Sequence, residues 1–385
     1  MSRASAVRRV AIGDPQAPLE TFFAVLDAYS LRAPGGQLRD DVHLVSVGDH
    51  FDYGGAGDRA RAAHDGTAIL KWLASHPPEQ VTILAGNHDL ARVGELARFD
   101  DATFAAAQVE ADVVYAQKLA SVGAVSVDRV SADAADAAEA AFLARHPDVP
   151  TAECVARDFA SFRAEQRDLV LALLRAGRMR LAFAAADDFL LTHAGVTIDD
   201  LEALGVPASA HADAPRIAHA LDGALAAAVG AFDGAPLVIA PELHRPGSAA
   251  FGEGRGILYH RPSQPNRDGH EGHEAPELFL APRRRFDPRR LPRGLTQAIG
   301  HIQDTKCRSL LRDWAVSDAA PDGALRHLVT DGAAVGYAVG AGDARESARN
   351  HGCAAMLFLD GGMRRADPAR YELCDLDSAR ALLVH

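Results

Sequence analysis

Three stretches near the start of the chain place an oxygen-bearing side chain directly after an apolar run and a glycine. They are Val10-Ala11-Ile12-Gly13-Asp14, Val45-Ser46-Val47-Gly48-Asp49 and Ile83-Leu84-Ala85-Gly86-Asn87. Two carboxylates and an amide oxygen, with His88 and Asp89 following the third, are donors suited to divalent cations. A fourth ligand-like position follows Phe189-Leu190-Leu191-Thr192, which leads into His193-Ala194-Gly195, and Gly300-His301 comes after Ala298-Ile299.

Chemistry of this kind needs elements that bring the donors together. Continuous apolar runs of this length suit strands buried on both faces, and the helix-period stretches at 19–31 and 59–75 suit crossovers between parallel strands. Ligands of open α/β sheets gather at the carboxyl ends of strands, so Asp14, Asp49 and Asn87 are expected at one sheet edge. Residues 179–192 read as a hairpin, with Met179 to Phe183 as one strand and Phe189 to Thr192 as the other. From about 90 to 178 the chain is alanine-rich and helical, which predicts an insertion beside the sheet and suggests no function for it. A Pro- and Gly-rich stretch at 241–296 reads as a long loop.

The 385 residues are 48% hydrophobic, enough for a substantial core. A net charge of −12 argues against a broad nucleic-acid surface. The four cysteines are far apart and form neither a zinc knuckle nor a redox pair. No run reaches membrane-spanning length and the first residues lack an apolar signal region, so a cytoplasmic protein is expected. Arg283-Arg284-Arg285 with Arg289, Arg290 and Arg293 reads as a solvated basic loop, and His270-Glu271-Gly272-His273-Glu274 as a loop with incidental histidines.

In their order, Asp14, Gly48-Asp49-x-x-Asp52-x-Gly54, Gly86-Asn87-His88-Asp89, His193 and Gly300-His301 resemble the motifs of the calcineurin-like metallophosphoesterases. Thr192-His193-Ala194-Gly195-Val196, Gly256-Ile257-Leu258-Tyr259-His260-Arg261 and Leu359-Asp360-Gly361-Gly362-Met363 are similar to the phosphoprotein-phosphatase branch. The resemblance implies an α/β fold, a four-layer α/β/β/α sandwich of two mixed sheets, forming a single domain over 1–385 with the helical and loop insertions above. It also implies two divalent metal ions, manganese first, with iron, zinc or magnesium as alternatives. Asp49 would bridge them, Asn87, His193 and His301 would complete one site, and Asp14 and Gln16 would serve the other. His88 would assist the leaving group while Asp52 holds its ring, and Arg261, then Arg92, would meet phosphate charge.

The sequence departs from the family at Gln16, where the usual Asp-x-His pattern has histidine, and at Tyr53, where an arginine is usual. Asp14, Gln16 and Asp49 would therefore form an oxygen-rich site favouring manganese or magnesium. His50, beside the cluster, reads as a surface histidine, and Asp89 as a less suitable orienter of His88 than Asp52. The activity the resemblance implies is phosphomonoester hydrolysis by metal-bound hydroxide, on a phosphoprotein or a small phosphorylated metabolite. Phosphodiester or dinucleoside polyphosphate hydrolysis is the alternative within the same core. A weakened, phosphoryl-binding regulatory module is the alternative outside catalysis.

Overall fold

A computed structural model describes residues 7–123, 131–265 and 282–383. The first sheet carries the ligand-bearing runs at its centre. Strands β1 (Arg8–Ile12), β2 (Val42–Ser46), β3 (Val81–Leu84) and β4 (Met179–Arg180) lie parallel in that order. The hairpin β5 (Ala182–Ala186) and β6 (Phe189–Thr192) belongs to the second sheet. Two short pairs follow, β7 (His244–Arg245) with β8 (Arg255–Gly256) and β9 (Arg261–Pro262) with β10 (Arg285–Phe286). Strands β11 (Thr296–Ile299), β12 (Arg326–Thr330), β13 (Val335–Val339) and β14 (Ala354–Phe358) complete the second sheet, in the order β13-β12-β14-β11-β6-β5. Finally β15 (Cys374–Asp375) and β16 (Arg380–Ala381) add to the first sheet beside β1.

Both central sheets are mixed, and their strands alternate as period-2 geometry demands. Ala11, Val45 and Leu84 face Phe189, Leu191, Ala298 and Leu357 across the seam between the sheets. Their neighbours Val10, Ile12, Leu44 and Ile83 point outward to α1 (Leu19–Ala28) and α2 (Arg59–Ala74). On the far side Ile299, Met356 and Phe358 pack with Leu310 and Leu311 of a helix at Asp304–Leu311. The result is the expected α/β sandwich. The expected strand from Met179 to Phe183 is divided, however: Met179–Arg180 closes the edge of the first sheet, and the chain crosses at Leu181 into the second. Arg180, exposed and paired with Asp222, is the one interruption in the apolar run, and the change of sheet comes directly after it.

This topology places three parallel strand ends of each sheet toward one rim. β1, β2 and β3 deliver Asp14, Asp49 and Asn87; β6, β11 and β14, parallel to one another, deliver His193, His301 and Asp360. Between β3 and β4 lie α3 (Asn87–Ala91), α4 (Asp101–Ser121), α5 (Ala132–Arg145), a π-helical turn at Cys154–Asp158 and α6 (Ala164–Arg175). Asp100 and Ser131 cap α4 and α5 through side-chain oxygens. Phe104, Phe142, Val149, Val155 and Phe162 form a core of this region's own, whereas α6 returns to the main core through Val170, Leu173 and Leu174.

The 241–296 stretch is more than a loop, because its short strand pairs fix Tyr259 and His260, both buried, against the sandwich. The sequence His270 to Glu274 lies outside the described residues. Next to Tyr259, the buried His244 ring stacks at 5.9 Å, accepts a 3.3 Å hydrogen bond from the Ile239 N–H at Nδ1, and has no partner at Nε2. Burial pushes its pKa down to about 3.

A neutral His244 therefore stabilises the native state fully above about pH 6.5, and that stability is lost as pH falls toward about 3. Urea unfolding of the wild type should weaken relative to His244→Phe across this window, approaching about 1.4 kcal/mol per pH unit. Parallel pH profiles for the two proteins would contradict this placement of the ring.

Candidate metal centre and cleft

Asp49, Asp52 and His301 all sit in the left-handed backbone region, with φ of 55°, 66° and 65°. Non-glycine residues hold such angles at a cost of order 1–3 kcal/mol each, so neighbouring structure must enforce them. For Asp49 the enforcer is the fully buried Asp89. Its Oδ2 accepts from the N–H groups of Asp49 at 2.9 Å and Gly86 at 2.8 Å, and its Oδ1 accepts from His50 N–H at 3.1 Å. The His50 ring lies 3.0 Å from the same carboxylate and 2.9 Å from Ser46 Oγ. His50 is thus a buried brace and not a surface histidine, and Asp89 ties two ligand loops together while leaving His88 to Asp52. Those loops touch so closely that a Cβ on Gly86 would stand 2.1 Å from Asp49 Oδ1.

Asp49, His193 and His301 offer donor atoms within 4.8 Å of one another. His193 Nδ1 is 2.9 Å from the Val47 carbonyl, so the proton belongs there and the Nε2 lone pair faces inward. In the same way His301 Nε2 meets the Tyr259 carbonyl at 3.0 Å, which turns the Nδ1 lone pair inward. The two inward nitrogens stand 3.0 and 2.9 Å from Asn87 Oδ1, and Asp49 Oδ2 lies 3.4 Å from His193 Nε2. Four acceptors thus converge, spaced like neighbouring ligands of an ion with bonds of about 2.0–2.2 Å. Carbonyls that fix the tautomer of each imidazole are the usual outer support of a metal ligand. The donor set fits a divalent cation.

On the other side of Asp49, Asp14 is buried; its Oδ2 accepts from His301 N–H at 2.8 Å and its Oδ1 has no partner. Burial, and then the charges of Asp360 and Asp49, push the Asp14 pKa well up. Gln16 donates from Nε2 to the Phe51 carbonyl at 3.0 Å, so only its Oε1 remains for a cation. Asp14, Gln16, Gln303 and Asp360 line one cavity of about 150 Å³.

His88 is held from behind. Asp52 Oδ2 lies 2.9 Å from its Nδ1, and Asp52 is itself fixed by Arg92 Nη1 at 2.5 Å and by Ser161, whose Oγ donates at 2.6 Å and N–H at 3.1 Å. Phe159 packs 5.5 Å from the imidazole. Burial disfavours the His88 imidazolium, but the Asp49 charge and the Asp52 hydrogen bond outweigh it and lift the pKa to about 9. Ser161 and Phe159 lie in the helical region to which the sequence suggested no function. A single Ser or Phe beyond two alanine-rich helices gives no signal of the fold bringing it back.

The face of His88 opens on a cleft of about 440 Å³, lined also by Asn87, Arg261, Arg284, Arg285 and Lys306. Arg261 enters it from β9, donating only weakly to the Tyr259 carbonyl at 3.3 Å. Arg92 does not reach the cleft: its guanidinium is fully buried, stacked over Phe51 and consumed by Asp52, the His88 carbonyl and Gln166. Its expected phosphate role is therefore replaced by a structural one. Tyr53 donates to Asp65 Oδ2 at 2.5 Å. The arginine run divides: Arg284, paired with Glu253, and Arg285 face the cleft, while Arg289 and Arg290 pair with Asp287 and Asp199 on the surface. Among the described residues no helix is long and apolar enough to cross a membrane.

No family model matches the chain, and a comparison with curated proteins returned no match. Among solved structures, a mutant cold-active protein tyrosine phosphatase aligns at 10% identity and a TM-score of 0.39, covering 96% of this chain and 75% of that one. A second structure of a cold-active protein tyrosine phosphatase aligns at 12% and 0.38, over 96% and 73% of the two chains. The enzyme of a psychrophilic Shewanella species aligns at 15% and 0.31, over 60% and 50%. Likenesses this distant decide neither family nor activity.

Asp52→Asn should leave the buried Arg92 charge without a counter-ion and destabilise the fold by about 3–5 kcal/mol in urea unfolding. Ser161→Ala, which removes one hydrogen bond to the same carboxylate, should cost about 1–3 kcal/mol. Equal small effects from both would contradict the central place given to the Arg92–Asp52 pair.

Proposed function

We propose that the chain is a divalent-cation-dependent phosphoester hydrolase, acting first on phosphomonoesters of a phosphoprotein or a small phosphorylated metabolite. The observation that carries this reading is the convergence of Asp14, Asp49, Asn87, His193 and His301 beside a carboxylate-held His88 at the mouth of a cleft that Arg261, Arg284, Arg285 and Lys306 line together with several acidic side chains. Asp49, Asn87, His193 and His301 would hold one cation, and Asp14 and Gln16 would contribute to a second. Bound there, the ions would supply Lewis acidity toward phosphoryl oxygens and lower the pKa of coordinated water.

The chain's own residues account for the remaining steps. His88, its Nδ1 held by the Asp52 carboxylate, delivers a proton to the departing alkoxide. Asp52 keeps the imidazole in one orientation, and Arg92 keeps Asp52 there. Arg261 binds and orients the phosphoryl oxygens from the cleft wall, where an arginine fork matches their geometry. Phe159 shields one face of His88 from water.

Manganese-reconstituted protein should hydrolyse p-nitrophenyl phosphate, and His88→Asn should lower kcat by about 10²- to 10⁴-fold. Arg261→Ala should act mainly on KM. Reconstituted protein without turnover on any phosphomonoester would refute the reading, and faster hydrolysis of bis(p-nitrophenyl) phosphate would move it to diesters.

A further inference from the structure

The second cation position has a donor that the sequence motifs did not assign. Asp360 follows β14 at the same rim as His301 and is buried. Its Oδ1 accepts from the Gly362 N–H at 3.0 Å. It shares the 150 Å³ cavity with Asp14 and Gln16, and Asp14 Oδ1, which lies against Gly300, is buried with no hydrogen-bond partner. Among the described residues no lysine or arginine side chain hydrogen-bonds to the carboxylate of Asp14, Asp49 or Asp360. The nearby Arg326 spends its Nη2 on the main-chain carbonyls of Ile302 and Asp360.

Asp14 and Asp360 are two buried carboxylates of one small polar cavity, with Asp49 nearby, and the two arginines that also line it, Arg364 and Arg365, pair with Asp58 and Asp322 and not with these carboxylates. We propose that Asp360 is a cation ligand, completing with Asp14, Asp49 and the Gln16 amide oxygen an all-oxygen site that selects a hard ion such as Mn²⁺ or Mg²⁺. The assignment rests on the two-cation reading above and extends it. The neighbouring site, with two imidazoles, takes borderline ions such as Zn²⁺ or Fe²⁺, so the two positions differ in kind. Gln16 is then no defect. In a site built on three carboxylates, a neutral amide oxygen supplies a donor without adding a fourth charge.

The test is metal counting on the full chain, by elemental analysis and by Mn²⁺ titration followed by electron paramagnetic resonance. Wild-type protein should take two Mn²⁺ per chain, and Asp360→Asn should keep one while losing at least tenfold affinity at the other. Asp360→Ala, measured in parallel, removes the donor outright and should show the same loss. Melting of metal-free protein gives an independent readout: Asp360→Asn removes a buried like charge and should raise the Tm, while shrinking the rise that Mn²⁺ produces. With Zn²⁺ and Mn²⁺ supplied together, wild type should bind one of each. A wild type that takes a single ion, or variants that keep both ions at unchanged affinity, would overturn the assignment. Metal counting needs no turnover, so a protein that binds two ions and hydrolyses nothing would refute the proposed activity and leave this site standing.

Discussion

The rim of the sandwich is organised around a cluster of buried carboxylates. Asp14, Asp49 and Asp360 are buried where the two sheets' strand ends meet, and burial together with mutual charge pushes Asp14 and Asp360 toward protonation. Such groups are normally paired or bound to metal when found inside a protein. Placing them there is a consequence of topology, since each follows a strand, β1, β2 or β14, that runs parallel to a central neighbour in its sheet. The sheets cannot close without bringing the carboxylates together.

Around that centre the structure spends its polar groups on rigidity. Asp89 binds three main-chain N–H groups from two loops, which holds Asp49 in its left-handed conformation with no side-chain freedom. Arg92 serves Asp52 in the same manner, and Asp52 serves His88. The chain of support runs from buried cation to carboxylate to imidazole and ends at the cleft. A reactive group placed this way has its orientation fixed before any ligand arrives, which is how catalytic positioning is achieved without induced motion.

Much of this was legible in the sequence, and the reasons are physical. The strand-glycine-donor pattern at Asp14, Asp49 and Asn87 reports a backbone requirement, because Gly48 and Gly86 must let two loops touch. His193 and His301 were visible by the same logic of a donor at a strand end. The roles of Arg92, His50 and Ser161 were not legible: each depends on which way a side chain turns or on contacts between residues far apart, such as the 109-residue separation of Ser161 and Asp52. Leu181 shows the same limit for the fold, since one short run, interrupted only by Arg180, serves two sheets there. Asp360 carried the signal of an acid after an apolar strand, but its meaning lay in its proximity to Asp14 across the seam.

The most direct test of the central claim, that Asp49 is shared by two cations lodged between the sheets, is anomalous diffraction from crystals grown with Mn²⁺. The account predicts two peaks about 3.5–4 Å apart with Asp49 between them. One should stand among Asn87, His193 and His301, the other among Asp14, Gln16 and Asp360. A map with no peak at Asp49, or with a single peak contacting only the histidine side, would contradict it.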